Sequence, residues 1–99
     1  MINLLQETIE AIAESGHTTR DVSFVMTRRQ LGTWDEFTSL ANFEYDNGYG
    51  IAEVDDSLYI VFTDNTWLER VEYDGSERWD YKCTPVKPKN ALPLTKVEK

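Results

Sequence analysis

The sequence predicts an α+β domain: two helices packed on a small antiparallel sheet of about four strands, which ends in a three-stranded meander and runs into an extended tail. Three observations predict it. Ile2, Leu5, Ile9 and Ile12 recur at spacings of three, four and three, the period of one helix face. Thr33-Trp34-Asp35-Glu36 has the form of a capping box, in which the Thr hydroxyl and the Glu carboxylate each satisfy a free amide of a starting helix. From Leu58 to Cys83, two turn signals, Asp64-Asn65 and Asp74-Gly75-Ser76, divide segments rich in aromatic and β-branched residues.

In chain order, the first helix carries Glu7, Glu10 and Glu14 outside its apolar stripe. It is expected to end near Ser15, because Gly16 stands where a left-handed C′ residue belongs. His17 to Arg20 reads as a connection. Val22 to Met26 alternates well enough for a first strand, although Val25 breaks the pattern. Arg28 to Gly32 reads as a loop, and the capped second helix turns Trp34, Phe37, Leu40 and Ala41 to one side, ending near Asn42 or Phe43. Glu44 to Gly50 reads as a glycine-bearing loop with Tyr45 and Tyr49 presented on it, and Ile51 to Val54 as a short edge strand or irregular lead-in.

In the meander, Leu58 to Phe62 is apolar at every position, as in a strand covered on both faces. The second face is therefore expected to meet the N-terminal helix, the tail or another subunit, which makes a homodimer through the sheet an expectation. Alternation puts Leu68, Arg70 and Glu72 on one side of the next strand, and Trp67, Glu69, Val71 and Tyr73 on the other. On the last strand, Trp79 and Tyr81 share a face with Glu77. The expected core comprises Ile9, Ile12, Phe24, Phe37, Leu40, Ile60, Phe62, Leu68 and Trp79. Residues 1–84 form the domain. Residues 85–99, with Pro85, Pro88 and Pro93 among lysines, form the tail.

A chain of 99 residues has room for one core. No stretch approaches the roughly 20 apolar residues of a membrane span, and no export signal is visible. With a single cysteine, Cys83, a reducing cytoplasmic setting is expected. The net charge of −8 is unevenly placed. Residues 35–80 carry thirteen acids against Arg70 and Arg78, a local −11, whereas Lys82 to Lys99 carries five lysines and one acid, +4. An acidic body repels duplex nucleic acid and attracts basic protein surfaces.

Catalytic and metal chemistry find little to work with. One histidine and one cysteine cannot make a zinc site, and the aspartates lack the spacing and terminal Glu of a calcium loop. There is no nucleophile elbow and no phosphate-binding glycine motif. Neither a cofactor, a metal nor an enzymatic activity is expected. The residues expected to touch a protein partner are Tyr45, Asp46, Tyr49, Asp55, Asp56, Asp74 and Glu77, since tyrosines and carboxylates on turns offer both anchors and charge. An alternative is a nucleotide-binding set of Arg28, Arg29, Arg70 and Arg78 with Trp67 or Trp79 as stacking platforms.

The stretch from Thr33 to Pro85 resembles a family of small proteins carried by bacteriophages and prophages. The shared pattern is Trp-x-Glu-Phe at Trp34, Glu36 and Phe37. It continues with Glu-Tyr-Asp-x-Gly-Tyr-Gly from Glu44 to Gly50 and Glu-Tyr-Asp-Gly-Ser-Glu-x-Trp from Glu72 to Trp79. The resemblance covers about half the chain and implies a bacterial host cytosol. It implies no particular activity. By analogy with other small acidic phage proteins, it points to an inhibitor that binds a host nuclease or defence complex. The alternatives are a sponge for a nucleotide immune signal, or an assembly accessory protein.

Overall fold

Two helices lie on one face of a five-stranded antiparallel sheet, with a second, two-stranded ladder beside them. The computed structural model describes residues 1–48 and 51–98. The elements are β1 (Ile2–Asn3), α1 (Leu4–Glu14), β2 (Val22–Met26), β3 (Leu31–Gly32), α2 (Trp34–Leu40), β4 (Glu44–Tyr45), β5 (Tyr59–Phe62), β6 (Trp67–Tyr73) and β7 (Ser76–Lys82), with a short 3₁₀ turn at Thr19–Asp21. The large sheet runs β3-β2-β5-β6-β7, and β1 pairs with β4. The fold is thus α+β and ends in the expected meander. The sheet has one strand more than expected, because Leu31–Gly32 pairs back on Val25–Met26 instead of remaining loop.

The helix ends follow local chemistry. Asn3 caps α1 by accepting from the Gln6 amide at 3.0 Å, so the helix starts at Leu4, two residues after the Ile2 with which its apolar spacing begins. Two of its free amides, those of Leu4 and Leu5, donate to the carbonyls of Phe43 and Ala41, which ties the start of α1 to the end of α2. At the other end, Gly16 is left-handed (φ 84°) and donates to Ala13, while His17 donates to Ile12, the paired bonds of a Schellman motif. No side-chain or backbone atom obstructs a Cβ at Gly16. Gly16→Ala is therefore expected to cost only the backbone penalty, about 1–2 kcal/mol, read as a lower urea midpoint with unchanged m-value. The capping box at α2 forms as expected: Glu36 donates its amide to the Thr33 hydroxyl at 3.1 Å and accepts from the Thr33 amide at 2.9 Å. The β6–β7 hairpin turns at Asp74 (φ 53°) and Gly75 (φ 83°), the two positive φ values a two-residue hairpin loop needs.

Core identity departs from the sequence reading in three places. The buried stripe of α1 is Leu4, Thr8 and Ile12, and Ile9 is exposed. Thr8 takes the inner place because its hydroxyl donates to the Leu4 carbonyl (2.7 Å) and accepts from Trp79 Nε1 (2.9 Å), so it is buried at no cost in unpaired groups. A register irregularity between Val22 and Phe24 turns Val25 inward and leaves Phe24 half-buried on the far face. Leu40, in the last turn of α2, points away from the core that holds Phe37 and Ala41. Ile12, Phe37, Ile60, Phe62, Leu68 and Trp79 are buried as expected.

The face of the sheet away from the helices carries Phe24, Tyr59, Val61, Trp67 and Val71, each half-buried by its neighbours. The N-terminal helix does not cover it; α1 packs against β7 on the core side. Residues 83–98 are exposed, and the molecule measures 49 Å in its longest direction against 26 Å in its shortest. No helix among the described residues is long and apolar enough to cross a membrane.

Candidate binding site

The β6–β7 ribbon extends past the start of β5, since Tyr59 pairs with Glu69 and leaves Arg70 to Tyr73 beyond it. Two connections, the long β4–β5 segment and the β2–β3 turn, gather at this end of the sheet. The Glu77 amide donates to the Asn47 carbonyl at 2.7 Å, and the Glu77 carboxylate accepts from the amides of Glu53 (2.8 Å) and Val54 (3.2 Å). The β2–β3 turn joins them, with the Arg28 amide donating to the Ser57 hydroxyl at 2.9 Å. One end of the sheet therefore collects the carboxylates of Asp46, Asp55, Asp56 and Asp74, all exposed, together with Glu44 and Glu53. Asp55 accepts from the hydroxyl and amide of Ser57, which hold its carboxyl below the usual range. Arg28 approaches Asp56 at 4.0 Å, an exposed pair of little energetic weight.

Tyr45 and Glu77, expected on the surface, are buried and form part of the internal framework. The Tyr45 hydroxyl donates to Glu7 and accepts from Arg70 Nη2 at 2.9 Å, and the same Nη2 donates to Glu77 at 3.1 Å. The guanidinium lies between the rings of Tyr45 (5.7 Å) and Trp79 (4.9 Å), where both offer cation–π attraction. Burial first, and then the bond to Glu7, push the Tyr45 hydroxyl up to about 12, which keeps it a neutral donor. The sequence held a signal for this cluster. Alternation had placed Arg70 in phase with Leu68, and Glu77 in phase with Trp79, which are core positions. Tyr49 lies outside the described residues.

The expected nucleotide-binding set does not converge. Arg70 and Trp79 are committed to the interior, and Arg28 and Arg29 sit on the β2–β3 turn. Trp67 and Arg78 share the open face, but Trp67 lies across from Lys82, four residues along β7 from Arg78. Beside the turn is a polar hollow of about 290 Å³ lined by Arg28, Arg29, Asp55 and Ser57.

A second feature was not anticipated from sequence. An open apolar groove of about 600 Å³ runs between α2, the β2–β3 hairpin and the segment around Val54. Phe37 and Val54 form its floor, and Leu31 and Leu40, each 77% exposed, stand at its edge with Phe43. Among the described residues, only Glu36, Glu53 and Asp55 contribute charge to its lining. Its signal in the sequence was the set Leu31, Leu40 and Phe43, apolar residues at or next to the ends of short elements.

His17, read from the sequence as the start of a connection, is held by several partners. Its ring stacks on Phe62 (4.0 Å, 7°), Nε2 meets Asp64 at 2.8 Å, and Nδ1 lies 3.1 Å from the Ser15 hydroxyl. The Ser–His–Asp order mimics a hydrolase triad, but the Ser15 hydroxyl donates to the Ile12 carbonyl (2.7 Å) within the helix end, and neither pocket reaches it. The string closes the C-terminus of α1 onto the β5–β6 turn. The Thr66 hydroxyl first, and then His17, lower the Asp64 carboxyl from 3.8 to about 2. A depressed carboxylate stabilises the fold above its unfolded pKa and loses that contribution as pH falls through the folded value. Stability is thus expected to drop between about pH 4 and pH 2, and Asp64→Asn to flatten that limb in urea titrations at stepped pH.

Among the described residues, no three histidine, cysteine, aspartate or glutamate side chains are placed to hold a metal ion. No protein-family model, curated protein or solved structure matches this chain.

Proposed function

We propose that this protein is a small binding module that engages a basic protein surface through the acidic end of its sheet. The setting its phage resemblance suggests is stoichiometric inhibition of a host nuclease or defence complex in the bacterial cytoplasm. The observation that carries the reading is the gathering of Asp46, Asp55 and Asp56, from the long β4–β5 connection, and Asp74, from the β6–β7 turn, at one end of the molecule. Carboxylates grouped at one end of a sheet steer a cationic partner and occupy sites made for phosphates. The buried Arg70–Glu77–Tyr45 cluster supports the reading by fixing the connections that carry those carboxylates.

The test is capture from infected bacterial lysate with a salt step, followed by inhibition assays on the protein captured. Binding is expected to weaken steeply with salt, and by about tenfold or more in the combined variant Asp46→Lys, Asp56→Lys, Asp74→Asn. Asparagine retains the left-handed turn at position 74. Full inhibition by that variant would overturn the role of the acidic end.

A further inference from the structure

We propose that the apolar groove between α2 and the β2–β3 hairpin seats the C-terminal segment around Leu92-Pro93-Leu94 of a second copy of this chain, and that two copies exchange tails. This goes beyond the acidic-end reading, and its groove adjoins that end, sharing Glu53 and Asp55 with it. The groove and the tail are each incomplete alone and complement each other. Leu31 and Leu40 stand exposed at the edge of a 600 Å³ apolar groove. Val86, Leu92, Leu94 and Val97 are 83–90% exposed on a tail whose described residues are all exposed. Large apolar side chains left in water at both places are the mark of surfaces that meet.

Charge agrees. Among the described residues no lysine or arginine lines the groove, whose charged members are Glu36, Glu53 and Asp55. Residues 85–99 carry four lysines and one acid, with Lys89 and Lys96 flanking the leucines. Pro93 fixes its own φ and biases Leu92 to an extended conformation, which lowers the entropy lost when the segment enters a groove.

Reach selects the second copy over the same chain. The tail leaves from β7, three strand spacings from β2, about 14 Å, with α1 packed on β7 between them. Passing over a helix adds its diameter of about 10 Å on the way up and again on the way down, roughly 34 Å in all. The nine steps from Cys83 to Leu92 span about 28 Å at the rise of a proline-rich chain. A neighbour's tail meets no such obstacle, and mutual exchange gives a closed two-fold dimer.

Light scattering of the full chain in reductant, which keeps exposed Cys83 from cross-linking copies, is expected to give twice the 11.5 kDa chain mass at high micromolar concentration. The tail variant Leu92→Asp/Leu94→Asp and the groove variant Leu40→Asp alter exposed positions and leave the fold intact by circular dichroism. Each is expected to weaken dimerisation at least about tenfold. Mixing the two restores one intact tail–groove pair and is expected to recover part of the dimer. A monomeric wild-type chain would overturn the proposal. So would a dimer indifferent to both variants, which would place the contact on the open sheet face.

Discussion

Replacing Arg70 with alanine is expected to cost about 3–5 kcal/mol. The side chain is 2% exposed and is the one cation facing Glu7 and Glu77 within the cluster. Its removal leaves the Glu77 carboxylate held only by two backbone amides, and leaves the Tyr45 hydroxyl and Glu7 without their cation. It also empties the space between the Tyr45 and Trp79 rings. Because domains of this size are stable by only about 5–15 kcal/mol, the variant is expected to unfold well below the parent in urea and to lose resistance to proteolysis. A double-mutant cycle with Glu77→Gln gives the sharper result. Once the carboxylate is neutral, removing the cation hurts less, so the two losses are expected to fall short of additivity by about 1–3 kcal/mol. Strict additivity would show that the pair contributes packing alone.

Phe62→Ala is expected to cost about 3–5 kcal/mol. Phe62 is 1% exposed, packs in the main core and carries the His17 ring on its face. The substitution opens a cavity and removes the platform that aligns His17 with Asp64, so the end of α1 loses its attachment to the β5–β6 turn. Amide exchange should accelerate in the last turn of α1 more than in β7. Leucine retains apolar contact without the stack and is expected to lose less. Equal losses for alanine and leucine would mean that the aromatic stack, not the buried volume, dominates.

Local signals were legible wherever chemistry acts within a few residues. The capping box at Thr33, the left-handed Gly16 and the Asp74-Gly75 hairpin all follow from short-range geometry, and each lies where the residues place it. The stripe of α1 was misjudged because apolar character was taken as the sign of the inner face. Thr8 is inside only because Trp79, 71 positions away, supplies its partner. The first strand was placed well, but its inner face was not, since one irregular step in register exchanges the two sides of a strand.

Binding residues were legible by type and not by place. Asp46, Asp55, Asp56 and Asp74 are exposed as charged turn residues should be, whereas Tyr45 and Glu77 went inside with Arg70. A tyrosine near a glycine-bearing loop carries no mark of its burial until β4 pairs with β1 and turns it toward Arg70.

By itself, the sequence determined the fold class, the order of helices and meander, the turn geometry and the acidity of the middle of the chain. These depend on periodicity, on φ preference and on composition, which are properties of neighbours in the chain. Only the tertiary structure decided which polar residues form the buried cluster, that the carboxylates meet at one end of the sheet, and that an apolar groove stays open beside α2. Those depend on pairs far apart in the chain, whose burial is favourable or costly according to the partner that packing brings to them.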